Sequence, residues 1–272
     1  MNRYAMAELR ELMRRLRDPE TGCPWDLRQD RQSLLPHTLE EVYELADALE
    51  RGDSTQVCDE LGDYLFQAVF QAQIAAERGE FDFDDVTHGI VAKLLRRHPH
   101  VFPDGTLGSR RPPGPAPDTR AIRERWESIK EGDRRERKLD GLLDDVPAAL
   151  PALQRAGKLQ RRAARGGFDW PDSAGVIRKL EEELGELRAA MEHGAAAERE
   201  EELGDLLFCC VNLARHLGLD AEIALRGANN KFERRFRAIE SALAEHGQRV
   251  GDCDAQTLDR LWEEAKTRCR QG

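Results

Sequence analysis

Residues 179–186 read Lys-Leu-Glu-Glu-Glu-Leu-Gly-Glu, and residues 202–205 read Glu-Leu-Gly-Asp. Advancing about 100° per residue puts Glu182, Glu186 and Glu183 near ~0°, ~40° and ~100° of a helical wheel, with Lys179 near ~60°. Ile177, Leu180, Leu184, Leu187 and Met191 fall on the adjoining arc. The stretch therefore predicts a helix that packs on one side and gathers acid on the other. Glu202 and Asp205, at i and i+3, share one side of the next helix. The apolar seam beside them is Leu203, Leu206, Leu207, Cys210 and Leu213. A short loop near 194–196 makes the two helices antiparallel neighbours. Packing their seams brings five carboxylates to one end of the pair.

The same pattern stands 142 residues earlier, as Glu40, Glu41 and Glu44 followed by Glu60 and Asp63. Sixteen residues separate Glu44 from Glu60, as they separate Glu186 from Glu202. Other landmarks recur in the same order. Lys93 to Arg97 matches Lys231 to Arg235, and Trp126 to Lys130 matches Trp262 to Lys266. The break at Pro24-Trp25-Asp26 has a looser partner in Phe168-Asp169-Trp170. Such order implies a duplicated structural unit.

Outward from the repeat, the pattern is helical throughout: about 3–17, 38–51, 55–78, 83–97, 119–137, 151–165, 173–193, 197–217, 220–246 and 255–269. No strand-like alternation persists. The expected fold is all-α, with modules at 1–140 and 145–272. The Pro- and Gly-rich stretch 104–119 is expected to be an exposed, mobile loop. The chain has 272 residues, 40% of them apolar, 35% charged and 6% aromatic, which suits helices with real cores better than a β-sandwich. A net charge of -10 argues against direct nucleic-acid binding, because no basic excess is present to neutralise a phosphate backbone. No apolar run is long enough for a membrane span. The N-terminus lacks the apolar core of a signal peptide. The six cysteines show no C-x-x-C pair and are expected to be reduced thiols in the cytoplasm. Cys209 and Cys210 read as small core residues.

Five carboxylates in a small volume repel one another unless they are solvated or share a cation. Hard oxygen donors without His or Cys suit Mg²⁺, with Mn²⁺ as a substitute, rather than zinc. Magnesium is held by a few carboxylates together with substrate phosphates, and nearby Lys and Arg then meet phosphate oxygens. No P-loop or dinucleotide-binding glycine motif is present. Bland readings compete with these. Single acidic helices, or Lys231 with Arg235, are ordinarily solvated faces. Trp262 is a core aromatic or a pocket wall. His98 and His100 follow a helix end and make a poor metal pair. Gly62 and Gly204 are expected to let helices pack closely.

Taken together, these residues resemble the MazG family of the all-α NTP pyrophosphatase superfamily. The resemblance rests on Arg17-Asp18-Pro19-Glu20 with Gly22-Cys23-Pro24-Trp25-Asp26, on Tyr43, and on Glu60-Leu61-Gly62-Asp63-Tyr64-Leu65-Phe66. It continues through Arg96-Arg97-His98-Pro99-His100-Val101-Phe102, Gly167-Phe168-Asp169-Trp170 and Asn229 to Phe236. It implies tandem helical modules that form four-helix bundles in a homodimer. It also implies hydrolysis of nucleoside triphosphates to a monophosphate and pyrophosphate, with Mg²⁺ activating water. By resemblance, Glu183, Glu186, Glu202 and Asp205 hold the metal, and Glu182, Glu183 and Glu186 form the catalytic set. Lys179, Glu182, Lys231, Arg235 and Trp262 would line the nucleotide site, with Lys266 and Glu198, Arg199, Glu200 and Glu201 as further contacts. Glu40, Glu41, Glu44, Glu60 and Asp63 make a possible second metal site.

Aligning Glu41 with Glu183 sets His37 against Lys179. A neutral imidazole stabilises phosphate less than an ammonium does, so the second module is the main catalytic candidate. Competing readings are a specialised dUTP or phosphoribosyl-ATP pyrophosphatase and a non-catalytic nucleotide- or metal-binding regulator. A di-iron carboxylate bundle would need E-x-x-H pairs, which neither acidic helix has.

Overall fold

The computed structural model describes residues 3–115, 118–136, 139 and 141–268. Residues 116–117 of the Pro-rich loop, Asp140, Cys269 and the expected helix ends at 137 and 269 lie outside the described residues. The described residues form eleven α-helices, one 3₁₀ turn and no strand. The chain divides into two compact units, 1–131 and 132–272.

In the first unit, α1 (Met6–Leu16), α2 (Pro24–Arg28), α3 (Leu35–Arg51), α4 (Ser54–Glu77) and α5 (Phe83–Arg97) precede α6 (Thr119–Glu136), which continues into the second unit. Asp53 caps α4 by accepting from the Thr55 and Gln56 backbone N–H groups, so α3 and α4 fold into an antiparallel hairpin. Met13 of α1 packs with Leu34, Val69, Phe70 and Ile74 to form the core. Arg17 ties the following loop to that core. Its guanidinium donates to Glu77 at 2.6 Å and to the Asp26 carbonyl at 2.5 Å, and lies over the Phe70 ring. Burial pushes the Glu77 carboxyl up, but the Arg17 and Gln73 bonds together with the Arg17 and Arg78 charges outweigh it and hold the group below its usual range. At Gly22 a Cβ would stand 2.5 Å from the Leu16 and Asp18 carbonyl oxygens, so this tight return needs glycine. The stretch after it was expected to be a plain break. Pro24 instead starts α2, because a proline at the first helical position loses no hydrogen bond.

In the second unit, α7 (Ala152–Arg165), α8 (Ser173–His193), α9 (Ala196–His216) and α10 (Ala221–Ala244) lead through a 3₁₀ turn (Val250–Asp252) to α11 (Ala255–Arg268). Residues 132–136 belong here because Arg134 donates to the Gly141 carbonyl and pairs with Asp145 at 3.4 Å. The hairpin of α8 and α9 is the most extensively packed pair, and α7 lies against α9. Ile239, Leu243, Leu261 and Ala265 join α10 to α11, with Trp262 packed beside them. Gly167, at φ +87°, turns the chain out of α7 toward α8 in a conformation that side chains disfavour.

Candidate functional site

Asp172 caps α8 by accepting from the Gly175 N–H, and the helix then buries Val176, Glu183 and Ala190 at seven-residue intervals. A buried carboxylate requires a partner. Glu183 is 5% exposed, and Lys179, one turn earlier, reaches its Oε1 at 2.8 Å while also meeting Glu182 Oε1 at 2.7 Å. These contacts, the Glu182 bond first, hold the Lys179 ammonium above its ordinary pKa. From α9, Glu202 completes a group in which Glu183, Glu186 and Glu202 each offer an oxygen within 4.8 Å of the others. Burial, then the Glu186, Glu183 and Asp205 charges, pushes the Glu202 carboxyl above its usual range. Such a volume favours a proton or a cation. With oxygen donors alone and none from His or Cys, the set fits a hard divalent ion.

Asp205 stands outside that trio. With Lys179 and Glu183 it forms one wall of a cavity of about 570 Å³. Phe168, Trp170, Phe208 and Leu159 supply apolar wall, and Gln160, Asp169, Asn212 and Arg215 supply polar groups. Asp169 accepts from Arg215 Nη1 at 2.9 Å and meets His216 Nε2 at 3.0 Å, clasping the loop before α8 to the end of α9. The Arg215 bond, against the cost of burial and with help from His216, lowers the Asp169 carboxyl to about 2. The sequence reading missed Gln160, Asn212, Arg215 and Phe208. The Gly-Phe-Asp-Trp stretch was its one signal for this cavity.

Other expected nucleotide contacts lie elsewhere in the unit. Glu198 bonds back to the Ala195 N–H at 3.0 Å and helps start α9. Arg199, Glu200 and Glu201 are exposed along the same first turns. Lys231, Arg235, Trp262 and Lys266 do not line the cavity. Arg235 lies over the Trp262 ring, with 5.7 Å from Cζ to the centroid, and Phe232 packs on the same ring. Trp262 thus serves the α10–α11 core on one side and holds a cation on the other. Lys266 pairs with Glu263 at 2.5 Å.

In the first unit, Glu41, Glu60 and Asp63 form the comparable trio. Burial and the surrounding acids raise the Glu41 and Glu60 pKa values. His37 sits edge-on to Trp25 and 3.7 Å from Glu40, so the counterpart of Lys179 is turned toward Glu40. Among the described residues, no metal-ligand group includes His98 or His100.

Three expectations are corrected. Cys210 is exposed, and Cys209 is only half-buried because it lines the same cavity as Lys179 and Glu183 rather than a packed core. Ile177, Met191, Leu203 and Leu207 also stay exposed, so much of the expected seam faces outward in the single chain. A Cβ at Gly62 or Gly204 would meet nothing within 4 Å, so neither glycine serves helix packing here. No helix of the described residues is long and apolar enough to cross a membrane.

Two segments, 29–102 and 172–239, match the family described as the MazG nucleotide pyrophosphohydrolase domain. These segments span both acidic hairpins. The chain is 47% identical over 257 residues to a protein of Escherichia coli (strain K12) named nucleoside triphosphate pyrophosphohydrolase, covering 94% of each. It is 42% identical over 259 residues to a Thermotoga maritima protein named nucleoside triphosphate pyrophosphohydrolase/pyrophosphatase MazG, covering 95% of this chain and 94% of that one. It is also 40% identical to the uncharacterized protein YabN of Bacillus subtilis, covering 97% of this chain and 52% of that longer protein.

Proposed function

Because the chain belongs to the MazG nucleotide pyrophosphohydrolase family, we propose that it hydrolyses nucleoside triphosphates to nucleoside monophosphate and pyrophosphate, chiefly in its second unit. The observation that carries this reading is the trio Glu183, Glu186 and Glu202 standing beside Lys179 and an aromatic-walled cavity. The reading makes the enzyme a cytoplasmic keeper of the nucleotide pool.

Glu183, Glu186, Glu202 and Asp205 would hold magnesium, which when bound neutralises the triphosphate and lowers the pKa of an attacking water. The chain's own groups do the rest. Lys179 positions Glu183 and offers an ammonium to a phosphate oxygen. Glu182 has an exposed carboxylate near the trio and is the group assigned to orient the water. Water attacks phosphorus at the α–β linkage, the bond to the bridging oxygen breaks, and pyrophosphate leaves with that oxygen. Lys231 and Arg235 are assigned to the departing pyrophosphate. Since they lie outside the cavity of the single chain, that assignment goes with a homodimer. In it the exposed α8–α9 seams of two copies would close a four-helix bundle.

The test is a product assay with Mg²⁺ and each nucleoside triphosphate. Release of monophosphate and pyrophosphate is expected, whereas orthophosphate with diphosphate would sink the reading. Glu183→Gln should cut turnover at least a hundredfold with helical content intact; full activity would remove Glu183 from the site.

A further inference from the structure

Gln160 of α7 lines the cavity and is 7% exposed. Its Nε2 donates to the Phe208 carbonyl at 2.8 Å. A carbonyl can only accept, so this bond fixes which end of the amide is which. Oε1 is left buried and without a hydrogen-bond partner. A buried acceptor that nothing matches is costly and rare. One helical turn beyond Phe208, Asn212 lines the same cavity, and its Oδ1 accepts from Arg215 at 2.7 and 3.1 Å. Asn212 is thereby set with Nδ2 as its donating end. The lining of the cavity thus brings an oriented acceptor and an oriented donor together with Phe168, Trp170 and Phe208, and with Lys179, Glu183 and Asp205. A flat aromatic ring carrying an N–H beside a ring nitrogen complements that arrangement.

We propose that Gln160 is a specificity-determining residue: its Oε1 accepts from the exocyclic amino group of a nucleobase, while Asn212 donates to the adjacent ring nitrogen. Adenine and cytosine both carry that amino–ring nitrogen pair. Bases with an oxo group in the amino position present an acceptor to an acceptor and are disfavoured. The inference rests on the reading of this cavity as part of the triphosphate site. It goes further by naming which bases the site prefers.

The decisive comparison uses ATP and purine riboside triphosphate, which differ by the 6-amino group. In the full-length wild-type protein, kcat/KM for ATP should exceed that for the analogue about tenfold or more. In Gln160→Leu the ratio should fall toward one. A wild-type ratio near one overturns the proposal. So does a ratio that survives in the variant, since a merely structural role would depress both substrates alike. Should circular dichroism show Gln160→Leu to be misfolded, Gln160→Met, an unbranched helix former, carries the same comparison. If the wild type released no AMP from ATP, the hydrolase reading would fail instead. The same ratio taken on dissociation constants would still decide the role of Gln160.

Discussion

Glu183 and Lys179 show how a single contact can be both structural and chemical. The carboxyl group is almost fully buried, and the ammonium one turn away is the opposite charge that meets it there. Lys179→Met should destabilise the fold by about 1–3 kcal/mol in urea titrations, because it leaves a buried carboxyl group without its partner. Adding Glu183→Gln to that variant should recover much of the loss, and a double mutant no better than the single would refute the coupling. The first unit gives the contrast. Its counterpart of Glu183 is the half-buried Glu41, with His37 in the corresponding place, turned toward Glu40. Burial and neighbouring acids raise its pKa. The two trios also differ in their acids, since Asp63 joins the first whereas Glu186 joins the second.

Among the elements, the clasp of Asp169 on Arg215 and His216 fixes the loop that carries Phe168 and Trp170 into the cavity wall. Asp169 titrates near 2 when folded and near its usual 3.8 when free. As pH falls, the unfolded chain therefore takes up the proton first. The stabilisation from the clasp is complete above about pH 4 and is lost as pH drops through about 2. Arg215→Ala should lower the unfolding midpoint at neutral pH and flatten the loss of stability across that window. An unchanged slope would show that the clasp contributes nothing. This element also marks where sequence reasoning stops. The α8 and α9 ligands were legible because helical periodicity alone sets Glu183 and Glu186 on one face, and a short loop brings in Glu202. Gln160 reaches Phe208 across 48 residues of sequence. That contact depends on how α7 lies on α9, which no local pattern encodes. The first short helix was missed for a different reason. A proline reads as a helix breaker in the sequence, whereas at the first helical position Pro24 begins α2.

For the whole molecule, the outward apolar side of α8 and α9 is the least resolved demand of the fold. Met191 is 66% exposed, with Leu203 at 48% and Leu207 at 50%, on helices whose other faces pack well. A clustered apolar surface of this kind calls for a partner. The proposed homodimer supplies one, and Gly204 leaves room there for a close approach. Sedimentation equilibrium should give twice the chain mass. Leu207→Glu should shift it toward one chain mass and reduce activity in parallel, whereas an unshifted dimer would place the interface elsewhere. The two units share one helical plan, yet the cavity described here is built from residues of the second unit alone.

The acidic trio of each unit sits on a single hairpin, within 23 residues of chain from Glu41 to Asp63 and 20 from Glu183 to Glu202. This compactness has a consequence in time. Helical hairpins close on the microsecond scale, well before distant segments dock. The cluster should therefore exist early in folding, ahead of the docking of α7 on α9 and of the Asp169 clasp. A divalent ion present during refolding would meet its ligands first and the base-reading cavity afterwards, so the ion would speed the fold's assembly as well as serve its chemistry.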